Sequence, residues 1–270
     1  MDMIFTAGIL ASDNPLSHVV QHPLFTIHIG SREVVFSNHM FMVLMAAASM
    51  LIIFPLVARQ RSRVPSGLRN FFESICVFIR EEVARPVLGE NADKFMPYLW
   101  NTFFFILFCN LLGMIPTDAI IQIVSGGHLK HLGGTATANI WVTGTLATFA
   151  LFMIHLSGIR QQGVWNYIKN FIPHVPWPLI PVMYVLETIG AFVKPFALAI
   201  RLFANMLAGH TVLGALMGLA IAARSYPIAG VTVLGCATIC LLELFVAFLQ
   251  AYIFTYLTTM FIGAAVHPEH

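Results

Sequence analysis

Residues 182–223 form an almost uninterrupted apolar run of about 40 residues, and 231–265 a second of about 35. As helices they would be roughly 60 and 50 Å long, against a bilayer core of about 30 Å. Each is therefore steeply tilted, kinked (Pro195 is the obvious place) or broken into two spans. No Pro-Gly or Asn-Gly turn stands near the middle of either run. The sequence thus predicts two long tilted helices, paired as a hairpin about the turn Arg224-Ser225-Tyr226-Pro227. Composition agrees, since 58% of the 270 residues are hydrophobic and 10% charged, where soluble domains carry about 25% charged residues. The fold class expected is an all-α polytopic membrane protein with about five crossing helices and an amphipathic surface helix.

The rest of the chain supplies the other elements. Residues 1–36 are polar and mixed and read as an outer, interfacial lead-in; residues 1–11 lack a basic stretch, so no signal peptide is expected. A single membrane domain follows over 37–265, with a first span at 37–58. Arg59, Arg61, Arg63 and Arg69 come next, and the positive-inside rule places them on the inner side, with the N-terminus outside. Residues 66–85 carry Phe72, Ile75, Ile79 and Val83 on one face and Arg69, Glu73, Arg80, Glu81 and Glu82 elsewhere. That density of charge predicts a helix lying on the inner surface, ended by Pro86 and Gly89.

The second span is 98–116, opened by Tyr98 and Trp100, and its deep Asn110 needs a hydrogen-bond partner. An outer loop with His128, Lys130 and His131 leads to the third span at 135–157, followed by Arg160 and Lys169 on the inner side. Four prolines in 171–181 argue against a regular helix there. The tail 266–270 is inner.

One arginine stands inside the first long run, in PFALAIRLFANMLAGH over 195–210. A charge at membrane depth costs from roughly 3 to more than about 10 kcal/mol depending on the method, and a guanidinium does not shed its proton. Glu187, Lys194 and Arg201 are seven residues apart, so each lands within roughly 20° of the one before on a helix. Asn205, four residues after Arg201, joins that face, and Glu243 and Gln250 share a face of the second helix. In an antiparallel pair, residues at equal depth have numbers summing to twice the turn's centre. Arg201 with Gln250 centres at 225.5 and His210 with Glu243 at 226.5, both within the turn. Two polar layers follow, roughly 10–13 Å apart. Such pairs can simply hold helices together; a stripe plus two layers, containing a fixed charge and titratable His and Glu, is the material of a proton pathway.

Leu186-Glu187, Lys194-Pro195, Arg201-Leu202-Phe203-Ala204-Asn205-Met206 with Ala208-Gly209, and Leu249-Gln250-Ala251-Tyr252-Ile253-Phe254 together resemble subunit a of F-type ATP synthases. Asn110-Leu111-Leu112-Gly113-Met114-Ile115-Pro116 resembles that family's second span, and the likeness covers roughly 30–265. The resemblance implies a stationary, non-catalytic subunit conducting protons through two offset half-channels to and from the carboxylates of a c-subunit ring. Arg201 would face the ring carboxylate, with Asn205 and Gln250 as neighbours. His210 and Glu243 would serve the outer half-channel and Glu187 the inner exit. In many bacterial members the acid and the histidine stand the other way round; the order here resembles mitochondrial and some bacterial members. Implied partners are the c-ring, b-type peripheral stalk subunits, the remainder of the ATP synthase and the lipid bilayer. The implied location is a bacterial inner membrane, or alternatively the mitochondrial inner membrane, with the C-terminus inside.

Other classes fare worse. No GxxxxGK[ST] loop is present, so nucleotide binding is not expected, and no basic aromatic-interleaved patch points to nucleic acid. The four cysteines lie in apolar segments without CxxC spacing, and neither the pair His18 and His22 nor the loop histidines make a metal site. No cofactor is expected, and with most of the 11 histidines in loops or termini a membrane redox enzyme is a distant reading. The alternative function is an ion-coupled secondary transporter, but such folds show paired halves and no internal repeat is found.

Overall fold

A computed structural model describes residues 23–29, 32–59, 67–115, 134–170, 176–222 and 226–266. Five helical segments are long and apolar enough to cross a membrane, so the all-α polytopic class stands and the chain is a multi-pass membrane protein. His18, His22, Arg61, Arg63, the His128–Lys130–His131 cluster, the hairpin turn at 223–225 and the last residues of the tail lie outside the described residues.

The chain falls into two compact units, each assembled from three separated stretches. The first comprises Met1–Leu51, Phe105–Thr143 and Leu202–Gln250, and the second Ile52–Phe104, Gly144–Arg201 and Ala251–His270. The long helices contribute to both.

The first unit opens with an element the sequence reading treats as irregular. Strands β1 (Pro23–Ile29) and β2 (Arg32–Ser37) pair antiparallel, with Thr26 opposite Val35 and Ile29 opposite Arg32. The signal was present in the sequence: alternation over 25–29 and the run Val34-Val35-Phe36, on either side of the dipeptide Gly30-Ser31, a type that closes two-residue hairpins. Helix α1 (Asn38–Ala58) follows directly, about 31 Å long, with Pro55 in its last turn. Within this unit Met42, Ala46, Cys109 and Ala136 form a buried cluster against Phe41, Phe105, Phe108 and Leu112.

The second unit corrects the surface-helix boundary. Helix α2 (Leu68–Phe78) does not stop at Pro86; it widens into a π turn (Ile79–Ala84) and runs on through α3 (Arg85–Leu88) to the expected stop at Gly89, at φ 54°, after which a 3-10 turn (Gly89–Asn91) leads to α4 (Ala92–Met114). Pro86 is tolerated because it stands in the first turn of α3, and the π turn before it opens the space that its ring would otherwise contest. Of the face expected to be apolar, Ile79 and Val83 are buried, and Phe72 meets Phe54 and Phe104 at 5.5 and 5.7 Å between ring centres. Arg80 pairs with Asp93 at 2.8 Å, tying the π turn to the start of α4.

Helix α5 (Ile140–Gln162) is displaced by five residues from the expected third span at both ends. Thr135 is extended, a 3-10 turn covers Ala136–Ala138, and the Asn139 side chain accepts the Trp141 N–H at 2.8 Å, which starts the helix there. Gly163, at φ 80°, ends it, a conformation that favours glycine. The short helix α6 (Val164–Asn170) follows.

Helices α7 (Ile180–Ala222, 43 residues) and α8 (Tyr226–Val266, 41 residues) are continuous, about 65 and 62 Å long. Pro181 sits in the first turn of α7, where no helical hydrogen bond is lost. Pro195 sits inside α7 without ending it. Many of their large apolar side chains, such as Val185, Phe192, Phe196, Leu241 and Phe245, are uncovered by the chain itself.

Candidate functional site

In the first unit, α7 and α8 run antiparallel and set His210 against Glu243, with His210 Nδ1 3.6 Å from Glu243 Oε1. The two side chains retain 13% and 11% of their exposure. Gly209 makes room for the acid, since a Cβ there would run into the Glu243 carboxyl group. On the other side of the ring, His210 Nε2 lies 3.0 Å from the Gly113 carbonyl oxygen and 2.6 Å from Thr135 Oγ1. A carbonyl oxygen only accepts, so Nε2 carries the proton in the neutral ring. Nδ1 is then a bare lone pair facing the acid. Among the described residues neither His210 Nδ1 nor Glu243 Oε1 has a hydrogen-bond partner, although both atoms are buried.

Thr135 is itself held. Its carbonyl accepts from His39 Nδ1 at 3.1 Å, and its methyl packs where a Cβ on Gly113 would lie. The deep Asn110 finds two partners: it accepts from Thr137 Oγ1 at 2.8 Å and donates to the Ala247 carbonyl at 3.4 Å. The layer arithmetic pairs Gln250 with Arg201; the hydrogen bond that Gln250 makes comes from Asn205 Nδ2, 3.0 Å from its Oε1. Gln250 is 1% exposed, and its Nε2 has no partner among the described residues.

In the second unit, Arg201 is exposed, and no hydrogen bond or ion pair holds it among the described residues. Glu187 lies 3.8 Å from Lys194, with both side chains more than a third exposed. These two help line a cavity of about 100 Å³ together with His155, Gln162 and Tyr167. His155 Nδ1 is 2.7 Å from the Tyr167 hydroxyl, and Gln162 donates to the Ala265 carbonyl at 2.7 Å. Burial, then the Glu187 charge, push the Tyr167 phenol above its usual range, so it remains protonated at physiological pH. The structure therefore brings together His210 with Glu243 and Asn205 with Gln250, and sets Glu187 and Lys194 in a cavity with His155, Gln162 and Tyr167, which the sequence did not single out. Among the described residues no group of three metal-binding side chains occurs.

The family model for the ATP synthase A chain matches residues 40–263, a stretch that holds Glu187, Arg201, Asn205, His210, Glu243 and Gln250. This chain belongs to that family. Among its relatives, ATP synthase subunit a of Anaeromyxobacter sp. (strain Fw109-5) is 44% identical over 239 residues, covering 87% of this chain and 55% of the relative. ATP synthase subunit a of Chloroherpeton thalassium is 41% identical over 254 residues, covering 90% of this chain and 71% of the relative. ATP synthase subunit a 2 of Chlorobaculum tepidum is 39% identical over 245 residues. The chain thus spans about half to seven-tenths of the length of these A-chain relatives.

Thr135, Gly113, His155 and Tyr167 were missed by sequence reasoning. Thr135 and Gly113 act through one hydroxyl and one carbonyl, which carry no pattern. His155 and Tyr167 lie 12 residues apart across the turn at Gly163, so no single helical face relates them.

Proposed function

We propose that this chain is the stationary proton-conducting subunit of a rotary ATP synthase, taking protons in through one half-channel, delivering them to ring carboxylates and releasing them through another. The observation that carries this reading is the facing pair of buried, unsatisfied atoms, His210 Nδ1 and Glu243 Oε1. Buried polar groups are normally satisfied, and exceptions call for a functional account. Here the account is proton exchange: Glu243 in its acid form gives its proton to Nδ1, and the resulting imidazolium, anchored through Nε2, gives one up in turn. The 3.6 Å gap closes with a small side-chain movement or is bridged by one water.

Arg201, exposed and without a partner among the described residues, supplies the fixed charge. Against a carboxylate at about 4 Å its attraction is ~4 kcal/mol at an effective dielectric near 20, equivalent to about three pKa units. Each ring carboxylate reaching it would lose its proton, and protons would not pass directly between the half-channels. Asn205 and Gln250 flank it as neighbours on the two long helices. Glu187 serves the inner exit. The basic residues after the first and third spans support an N-terminus outside and a C-terminus inside, in a bacterial inner membrane as the bacterial relatives favour. A c-subunit ring and b-type stalk subunits are the partners this role requires. The family membership counts against the secondary-transporter alternative.

Glu243→Gln in the assembled complex tests the reading. Proton-driven ATP synthesis should fall about a hundredfold or more, the usual weight of a positioned proton donor; synthesis at the wild-type rate would contradict it.

A further inference from the structure

The proposed pathway names one residue on the exit side, Glu187, yet the cavity in which it sits holds other groups able to carry a proton. At about 100 Å³ the cavity has room for about three water molecules at ~30 Å³ each. Its wall includes Pro195, which has no N–H to give to the Ala191 carbonyl one turn before it. Ala191 lines the same cavity as Glu187.

Lys194 holds Glu187 from one side at 3.8 Å and rests its ammonium 5.5 Å from the centre of the Phe261 ring. Tyr167 is pressed close by Gly158, where any Cβ would strike its ring. Its hydroxyl is thereby fixed on His155.

We propose that His155 and Tyr167 join Glu187 in a proton-release site within this cavity. The inference rests on the proton-conducting reading and deepens it. A proton leaving Glu187 through cavity water reaches the Tyr167 oxygen as the hydroxyl proton moves to His155 Nδ1. The tyrosine stays neutral throughout. The imidazolium so formed then loses a proton to water from its other nitrogen. The cavity also takes in Gln162 and Ala265, near the ends of α5 and α8, which the charge bias assigns to the inner side. It thus lies at the end of these helices that the charge bias assigns to the compartment where release must occur.

A rival view holds that the histidine and tyrosine only tie α6 to α5. Two measurements separate the views, both on the assembled complex in inverted membrane vesicles. Tyr167→Phe keeps the ring and its packing on Gly158 but removes the hydroxyl, and His155→Gln keeps polarity without the exchangeable ring proton. Each should slow passive proton conduction about tenfold after removal of the catalytic head. Separately, Ala264→Cys should conduct normally until a charged, membrane-impermeant thiol reagent is added at the inner face, and then be blocked, while the wild-type complex is unaffected.

Wild-type conduction in both side-chain variants, or undiminished conduction in the labelled Ala264→Cys complex, would overturn the proposal. Should either side-chain variant fail to assemble, the labelling result decides. Glu243→Gln measured in parallel distinguishes the two levels. If it blocks conduction while His155→Gln and Tyr167→Phe do not, the release site alone is wrong. If Glu243→Gln also conducts normally, the proton-conducting reading is what has failed.

Discussion

The two polar sites of this A-chain family member are built on opposite principles. Around His210 the side chains are almost fully covered, the ring's tautomer is dictated by one carbonyl, and the acid is seated over a glycine. Around Glu187 the carboxylate and its lysine are more than a third exposed and face a cavity with room for water. A dry site passes protons only through the groups it holds, so each group is indispensable and its geometry is tight. A wet site offers water as a substitute for any single side chain, so its groups share the work. The first kind is sensitive to the loss of one atom, the second tolerant of it.

The largest effect should come from comparing the central residue of each site. His210→Ala is expected to lower proton-driven synthesis about a hundredfold or more, and Glu187→Gln only about tenfold, because cavity water remains. Equal losses, or the reverse order, measured as synthesis rates under one imposed gradient, would break the comparison. Next come the glycines. Gly209→Ala puts a methyl into the Glu243 carboxyl and should reduce synthesis about tenfold, whereas at Gly190 an added methyl meets only the Lys194 stem at an ordinary 3.9 Å and should change little. Thr135→Val keeps the shape but removes the hydroxyl 2.6 Å from His210, and a loss of about threefold to fivefold in the same assay is expected. The smallest effect is foreseen for Arg85→Ala. Its pair with Glu81 is solvent-facing, so stability in thermal unfolding should change by no more than about 0.5 kcal/mol.

The same contrast explains what could be read from the sequence. His210 and Glu243 lie on two uninterrupted helices separated by only three residues of sequence, and for such a pair depth follows from counting, so their apposition was legible. The counting was less exact for Gln250, which bonds Asn205 one turn from the expected Arg201. A single turn of drift is easily gathered over some 25 residues of helix from the turn. The Glu187 cavity depends on where α5 ends and α6 folds back. The sequence reading ended that span at residue 157, six residues before the glycine at φ 80° that does so. The helix start at Asn139 was missed, and Pro86 was taken as a helix end, for a common reason. Capping and proline placement act through backbone geometry that hydropathy does not register. The β1–β2 hairpin was the reverse case, with its alternation and Gly30-Ser31 in plain view but outweighed by the polar composition around them.

Both sites have a role in the account only if something prevents protons from running straight from one to the other. In the proposed function that task falls to Arg201, so the most direct measurement is Arg201→Ala in the assembled complex reconstituted in vesicles. ATP synthesis under an imposed proton gradient would be compared with passive proton leak after removal of the catalytic head. The account predicts that synthesis is lost while the complex stays intact and the leak is kept or raised. Normal synthesis in the Arg201→Ala complex would contradict it.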